Sequence, residues 1–311
     1  MPERVTSPPE HETLPRLQEY LATHLERHGH KITPTELGHL IGNIETADLS
    51  NDPLVAVVGR VPIAKVRHGE VTLDRQFHEF SQEQQAHVLL HEYSHALTWF
   101  LREQPEGERY AALSQLVASL PGHQVSYYVN YLETAVDDTP EKQAFIHEER
   151  LAEVFAQYLE SDRTFGGFIT AKLLEFPQGD QDINEEERRS FEEIAAQVGE
   201  LGEYLDIADS EEEREAFLER HSDLLPHYEL WREMTALLDE TDFSMLEGFH
   251  DDIEDDDYEF WEDLALAEYL HSESVSSGAS ARTAFGQETA DKKAPSSFLA
   301  DIINFWRIFP D

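Results

Sequence analysis

Along most of the chain apolar side chains recur every three or four residues, the spacing that keeps one face of an α-helix out of water. Residues 14–27 carry it as an amphipathic helix after an irregular, Pro-containing start at 1–10, and Thr33-Pro34 caps a shorter helix reaching Ile41. Ser81, with Gln84 three residues later, forms a capping box that opens a long helix through residues 87–97, HVLLHEYSHAL. The same period returns at 147–160, 168–174, 191–205, 216–225, 228–238 and 258–270, so everything beyond the long helix predicts helices without strands. Short β-rich runs occur only before it, at 54–58 (LVAVV), 63–66 and 71–73, broken at Gly59-Arg60 and at a His68-Gly69 turn. They predict two or three antiparallel strands leading into the long helix, with residues 71–74 as an edge strand open to an extended peptide.

Within the long helix, His91, Glu92 and His95 form an HExxH pattern. Two histidines four apart lie on one helical face, so both imidazoles can reach a single Zn²⁺ at roughly 2.0–2.1 Å. Glu92 then stands beside the metal as general base for zinc-bound water, whose pKa falls from 15.7 toward about 7. The flanking Val88, Leu89, Leu90, Ala96 and Leu97 are apolar, as in a core helix. Three ionisable groups inside such a helix need partners, and one cation satisfies all three.

A catalytic zinc takes a third protein ligand and keeps a fourth position open. On the helix at 147–160, Glu149, Ala152, Glu153 and Ala156 share a face. The alanines allow close approach to the first helix, Glu149 would reach the metal, and Glu153 one turn on would hold a ligating histidine by its free N–H. His147 and Glu148 compete with Glu149 for the ligand position. His87, one turn before His91, is a hydrogen-bonding residue at the helix start rather than a fourth donor.

HEYSH followed by a helix reading Glu149, Arg150, Leu151, Ala152, Glu153, Val154, Phe155 resembles the gluzincin branch of the zincin metallopeptidases, in which a glutamate on a second helix completes HExxH. It is similar to the catalytic domain of anthrax lethal factor and its relatives, whose second helix has the form E-x-x-A-E-x-F. The resemblance covers residues 54–160 and implies His91, His95 and Glu149 as zinc ligands, Glu92 as general base and Glu153 behind the ligands. In that family a tyrosine often assists the oxyanion; here Tyr127, Tyr128 and Tyr131 stand well upstream of the glutamate helix.

The expected fold is therefore α+β and mainly helical. A zincin-like catalytic domain with a small antiparallel sheet spans 1–176, N-terminal helices included, and a helical bundle spans 183–270, the boundary falling in 177–182. A Ser/Gly/Ala-rich linker follows at 271–295 and an apolar C-terminal helix at 296–311, SSFLADIINFWRIFP with its last residue. That last segment is apolar nearly all round and must dock, on its own domain or on a protein partner.

Composition narrows the chemistry. There is no cysteine, so disulfides and thiolate ligands are excluded and any metal must be held by His, Asp or Glu. The formal net charge of −42 opposes binding to nucleic acid or to an anionic membrane surface, and suits high salt, where screening relieves self-repulsion. Acidic runs such as 211–213 and 251–257 read as solvated faces. No stretch approaches the roughly 18 apolar residues of a membrane span, and the first ten residues lack an apolar signal core, which predicts a cytoplasmic protein. The function expected is zinc-dependent hydrolysis of a peptide or protein substrate. The alternative is a non-catalytic scaffold of the same shape, serving as an acidic protein-binding module.

Overall fold

The computed structural model describes residues 10–52, 54–55, 61–67, 70–104, 107–135, 139–179, 185–208 and 210–247. These form a mainly helical structure with one small sheet. Helices α1 (Glu10–Arg27) and α2 (Pro34–Leu40) lead into strands β1 (Asn43–Ala47), β2 (Ala64–Arg67) and β3 (Glu70–Asp74). Then follow α3 (Gln82–Arg102), α4 (Gly107–Ser119), α5 (Tyr127–Ala135), α6 (Pro140–Glu160), α7 (Phe165–Gly179), α8 (Glu185–Ile207), α9 (Glu211–Arg220) and α10 (Leu225–Glu240).

The expected caps are present. Thr33 accepts from Glu36 N–H and Ser81 from Gln84 N–H, each with the reciprocal side-chain bond of a capping box. Helix α6 begins at Pro140 behind the Thr139 cap, a full two turns before residue 147. Helices α4 and α5 are additional to the periodic elements expected.

The sheet departs from expectation in three ways. Its order is β1-β3-β2, with β1 parallel and β2 antiparallel to β3, so it is mixed rather than antiparallel. The added parallel strand is the polar NIETA segment, whose mostly exposed side chains give no apolar alternation to read. Leu54 and Val55 are helical, not extended: the Asp52 carboxylate accepts Leu54 N–H at 3.0 Å and its carbonyl accepts Val55 N–H at 3.0 Å, closing a turn. Residues 56–58 of that run lie outside the described residues. Finally, β3 is the central strand, with Val71 and Leu73 fully buried and both edges hydrogen-bonded, so residues 71–74 cannot receive a peptide. The edges belong to β1 and β2, and β2 is the strand that packs on α3.

Helix α3 is the axis of the core. Leu89, Leu90, Ala96, Leu97, Phe100 and Leu101 are at most 4% exposed, and α6 lies along them with Leu151, Val154, Phe155 and Leu159. Each large side chain so buried contributes roughly 1.5–3 kcal/mol. Ala152 and Ala156 are wholly buried on α6 and let the two helices approach closely, as their small size predicts.

Helices α7 and α8 approach more closely still. A Cβ on Gly202 would lie 2.6 Å from Gly166 Cα, so backbone meets backbone there. Asp206 of α8 also caps α7, accepting Phe165 N–H at 2.8 Å and Gly166 N–H at 3.0 Å. Helix α7 continues through Pro177 to Gly179, and residues 180–184 lie outside the description. Residues on both sides of the expected boundary, among them Leu97, Phe155, Leu230 and Met234, share one buried apolar cluster. The expected acidic run at 251–257, helix at 258–270, linker at 271–295 and apolar segment at 296–311 lie outside the described residues, as do residues 1–9. Among the described residues no helix is long and apolar enough to cross a membrane.

Candidate metal centre

Helix α3 sets His91 and His95 one turn apart, with ring centroids 4.9 Å apart and ring planes at 82°. Their Nε2 atoms face each other at 3.2 Å. From α6, Glu149 brings Oε2 to 3.1 Å from His91 Nε2 and Oε1 to 3.7 Å from His95 Nε2. One ligand atom from each of the three residues lies within 4.8 Å of the others, and among the described residues this is the one such group of three or more His, Asp or Glu. Donors at 2.0–2.1 Å from one tetrahedral ion are separated by roughly 3.3 Å, close to these spacings. Two imidazole nitrogens and a carboxylate oxygen are also a donor set that suits Zn²⁺.

The surroundings favour a cation. His91 is 9% exposed and Glu149 8%. Burial works against charge on His91, but hydrogen bonds to Glu149 and Glu153 outweigh it and raise its pKa to about 10. Burial likewise opposes charge on Glu149, yet His95 and His91 hold its carboxyl down to about 2. If His91 Nδ1–H donates to Glu153 Oε2, at 3.0 Å, then Nε2 turns its lone pair toward His95 and Glu149. Only a proton or a metal ion can occupy the point where these donors meet. The residues therefore fit a metal.

Glu92 is buried beside the cluster. Burial raises its pKa, the charges of His91 and His95 lower it, and that of Glu149 raises it. The remaining candidates are placed elsewhere. His147 Nε2 pairs with Ser114 Oγ at 2.7 Å, and Glu148 faces Arg102 at 4.0 Å, so neither competes with Glu149. His87 directs both ring nitrogens at carboxylates, Glu160 at 3.1 Å and Glu153 at 3.3 Å, and is not a donor to the cluster.

Tyrosine reaches the site after all. The Tyr128 ring meets the His91 ring edge-on at 6.0 Å, because α5 folds back beside α6. Several bonds fix that return. Arg150, next to Glu149, donates to Val117 O at 3.2 Å and to Leu120 O, and pairs with Glu133 of α5. Glu133 in turn accepts Gly122 N–H at 3.0 Å. Gln157, wholly buried, donates to Val125 O at 3.0 Å and to Glu153 Oε1 at 3.3 Å, tying the start of α5 to the carboxylate behind His91. No spacing of the tyrosines in sequence signals this; Arg150 and Gln157 stand on α6 among Glu148, Glu149 and Glu153, and nothing in their spacing marks them as ties to α5.

Two histidines and a glutamate drawn from two buried helices thus define a site that could hold a metal ion. No protein-family model, curated protein or solved structure matches this chain.

Proposed function

We propose that the protein is a zinc-dependent peptidase of the zincin type, with His91, His95 and Glu149 as ligands, Glu153 orienting His91, and Glu92 as general base. The observation that carries the reading is the convergence of His91 Nε2, His95 Nε2 and a Glu149 oxygen from α3 and α6, with Glu92 on the same turn as the histidines. Zn²⁺, when bound, supplies a Lewis acid for a peptide carbonyl and an acidified water.

The chain supplies the rest. Glu92, whose carboxyl pKa is raised by burial, takes a proton from the attacking water and delivers it to the leaving amine, so each turnover returns it to the carboxylate. Glu153 holds His91 by Nδ1–H and leaves Nε2 free to donate. Tyr128, whose ring meets His91 edge-on, is our candidate to donate a hydrogen bond to the developing oxyanion. Strand β2, at the sheet edge and packed on α3, is the backbone along which an extended substrate would pair, replacing residues 71–74 in that role.

The test is Glu92→Gln, assayed against a mixed peptide pool read by mass spectrometry. It should keep its zinc and lose hydrolysis by at least about 100-fold. Cleavage by Glu92→Gln at the wild-type rate, or none by zinc-loaded wild type against peptides and unfolded proteins, contradicts the proposal.

A further inference from the structure

Glu153 serves two histidines at once. Its Oε2 takes His91 Nδ1 at 3.0 Å and its Oε1 takes His87 Nε2 at 3.3 Å, so one carboxylate spans successive turns of α3. His87 gives its other nitrogen, Nδ1, to Glu160 Oε1 at 3.1 Å. A neutral imidazole has one N–H and would turn a lone pair on one of these carboxylates, so His87 donates from both nitrogens as an imidazolium. A row results, part-buried at Glu160 and His87 and buried at Glu153 and His91: Glu160, His87, Glu153, His91, and then the metal donors. It alternates carboxylate and imidazole, and every member comes from α3 or α6.

From this row we infer that His87 is a positioning residue for the metal centre, acting through Glu153. The inference rests on the metal reading above. Without His87, the second oxygen of Glu153 keeps only the Gln157 amide, at 3.3 Å. A buried carboxylate so underbonded is free to rotate, and rotation changes the direction in which it holds the His91 ring. With His87 present both oxygens are committed to charge-assisted hydrogen bonds, which fixes the carboxylate plane and through it the line along which His91 Nε2 points. Glu160 does for His87 what Glu153 does for His91. It is more exposed, with a quarter of its side chain accessible, so it is the weaker anchor.

The experiment measures zinc affinity by competition with a chromogenic chelator, and the absorption bands of the Co²⁺-substituted protein, for wild type, His87→Ala, His87→Gln and Glu160→Gln. Circular dichroism of each chelator-treated protein verifies folding. Loss of His87 should weaken zinc binding by about 10–100-fold and shift the cobalt bands, the change expected when a group behind a ligand is removed. Glu160→Gln should do the same to a smaller degree. Should His87→Ala not fold, His87→Gln and Glu160→Gln carry the comparison. Wild-type zinc affinity and an unchanged cobalt spectrum in folded His87 variants overturn the inference while leaving the metal site intact. A wild-type protein that takes up neither metal overturns the metal reading itself, and the inference with it.

Discussion

His30 shows how a single buried ring makes stability depend on pH. It lies at the end of the turn after α1, 9% exposed, with Nε2 2.8 Å from Ser161 O. Burial lowers its pKa to about 4, against the pull of the Ser161 hydrogen bond, which raises it. The unfolded ring titrates near 6.5, so between about 6.5 and 4 the unfolded chain binds the extra proton. The stability this ring contributes is complete above about 6.5 and is lost as pH falls toward 4, on the order of 3 kcal/mol in all. His30→Gln, which keeps a donor for Ser161 O but cannot titrate, should lose less stability than wild type between pH 7 and pH 4, measured by urea unfolding of chelator-treated protein. Parallel losses in the two proteins would contradict this. At the residue scale much of the site was legible in sequence. Periodicity alone puts His91 and His95 on one face, and Glu149 and Glu153 on another. Tyr128, Gln157 and Arg150 were not legible, because their roles exist only once the chain between α4 and α6 has folded back.

Between elements, the contact that matters most is α3 on α6, since each contributes part of the donor set. Ala152, wholly buried at one helical turn from both Glu149 and Ala156, keeps the helices close. Ala152→Leu adds three carbons where there is no room and should cost about 1–3 kcal/mol. The more specific consequence is for metal: pushing α6 outward moves Glu149 from the histidines, so zinc affinity should fall by more than the stability loss alone would cause. Thermal melts with and without zinc measure both, and a variant that keeps the full zinc-dependent rise in Tm contradicts the close-packing account. Helix α3 was legible from its period and cap and α6 from its period, though not its start at Pro140, while α4 and α5 were not read and the sheet was read in part. The LVAVV run looks like a strand, but Asp52 starts a helical turn at Leu54 and Val55. NIETA does not look like one, but pairs in parallel with β3. Whether β3 is central or at an edge depends on β1 arriving from before it, which nothing within residues 70–74 encodes.

For the whole molecule, the dominant fact is 65 acidic against 23 basic residues. Exposed carboxylates such as Glu211, Glu212 and Glu213 repel one another across the surface, whereas several cations among the described residues are committed to specific partners, as Arg163 is to Asp239 at 2.6 Å and Lys65 to Asp52 at 2.5 Å. Screening should therefore stabilise the fold: Tm should rise by several degrees between 0.05 M and 2 M NaCl at pH 7, because diffuse repulsion is screened more than close, part-buried pairs. A flat or falling Tm would mean that the surface charge is balanced locally. The same excess of charge bears on metal, since an acidic protein collects cations loosely over its surface. Specific binding must be separated from that background by mutation. The most direct measurement is metal content by plasma mass spectrometry on protein purified without chelator or added metal, comparing wild type with His95→Ala and Glu149→Ala. The account predicts about one zinc per chain in wild type and a loss of it in both variants, each still folded. Wild-type protein that is folded and metal-free, and remains so after incubation with Zn²⁺, would contradict it.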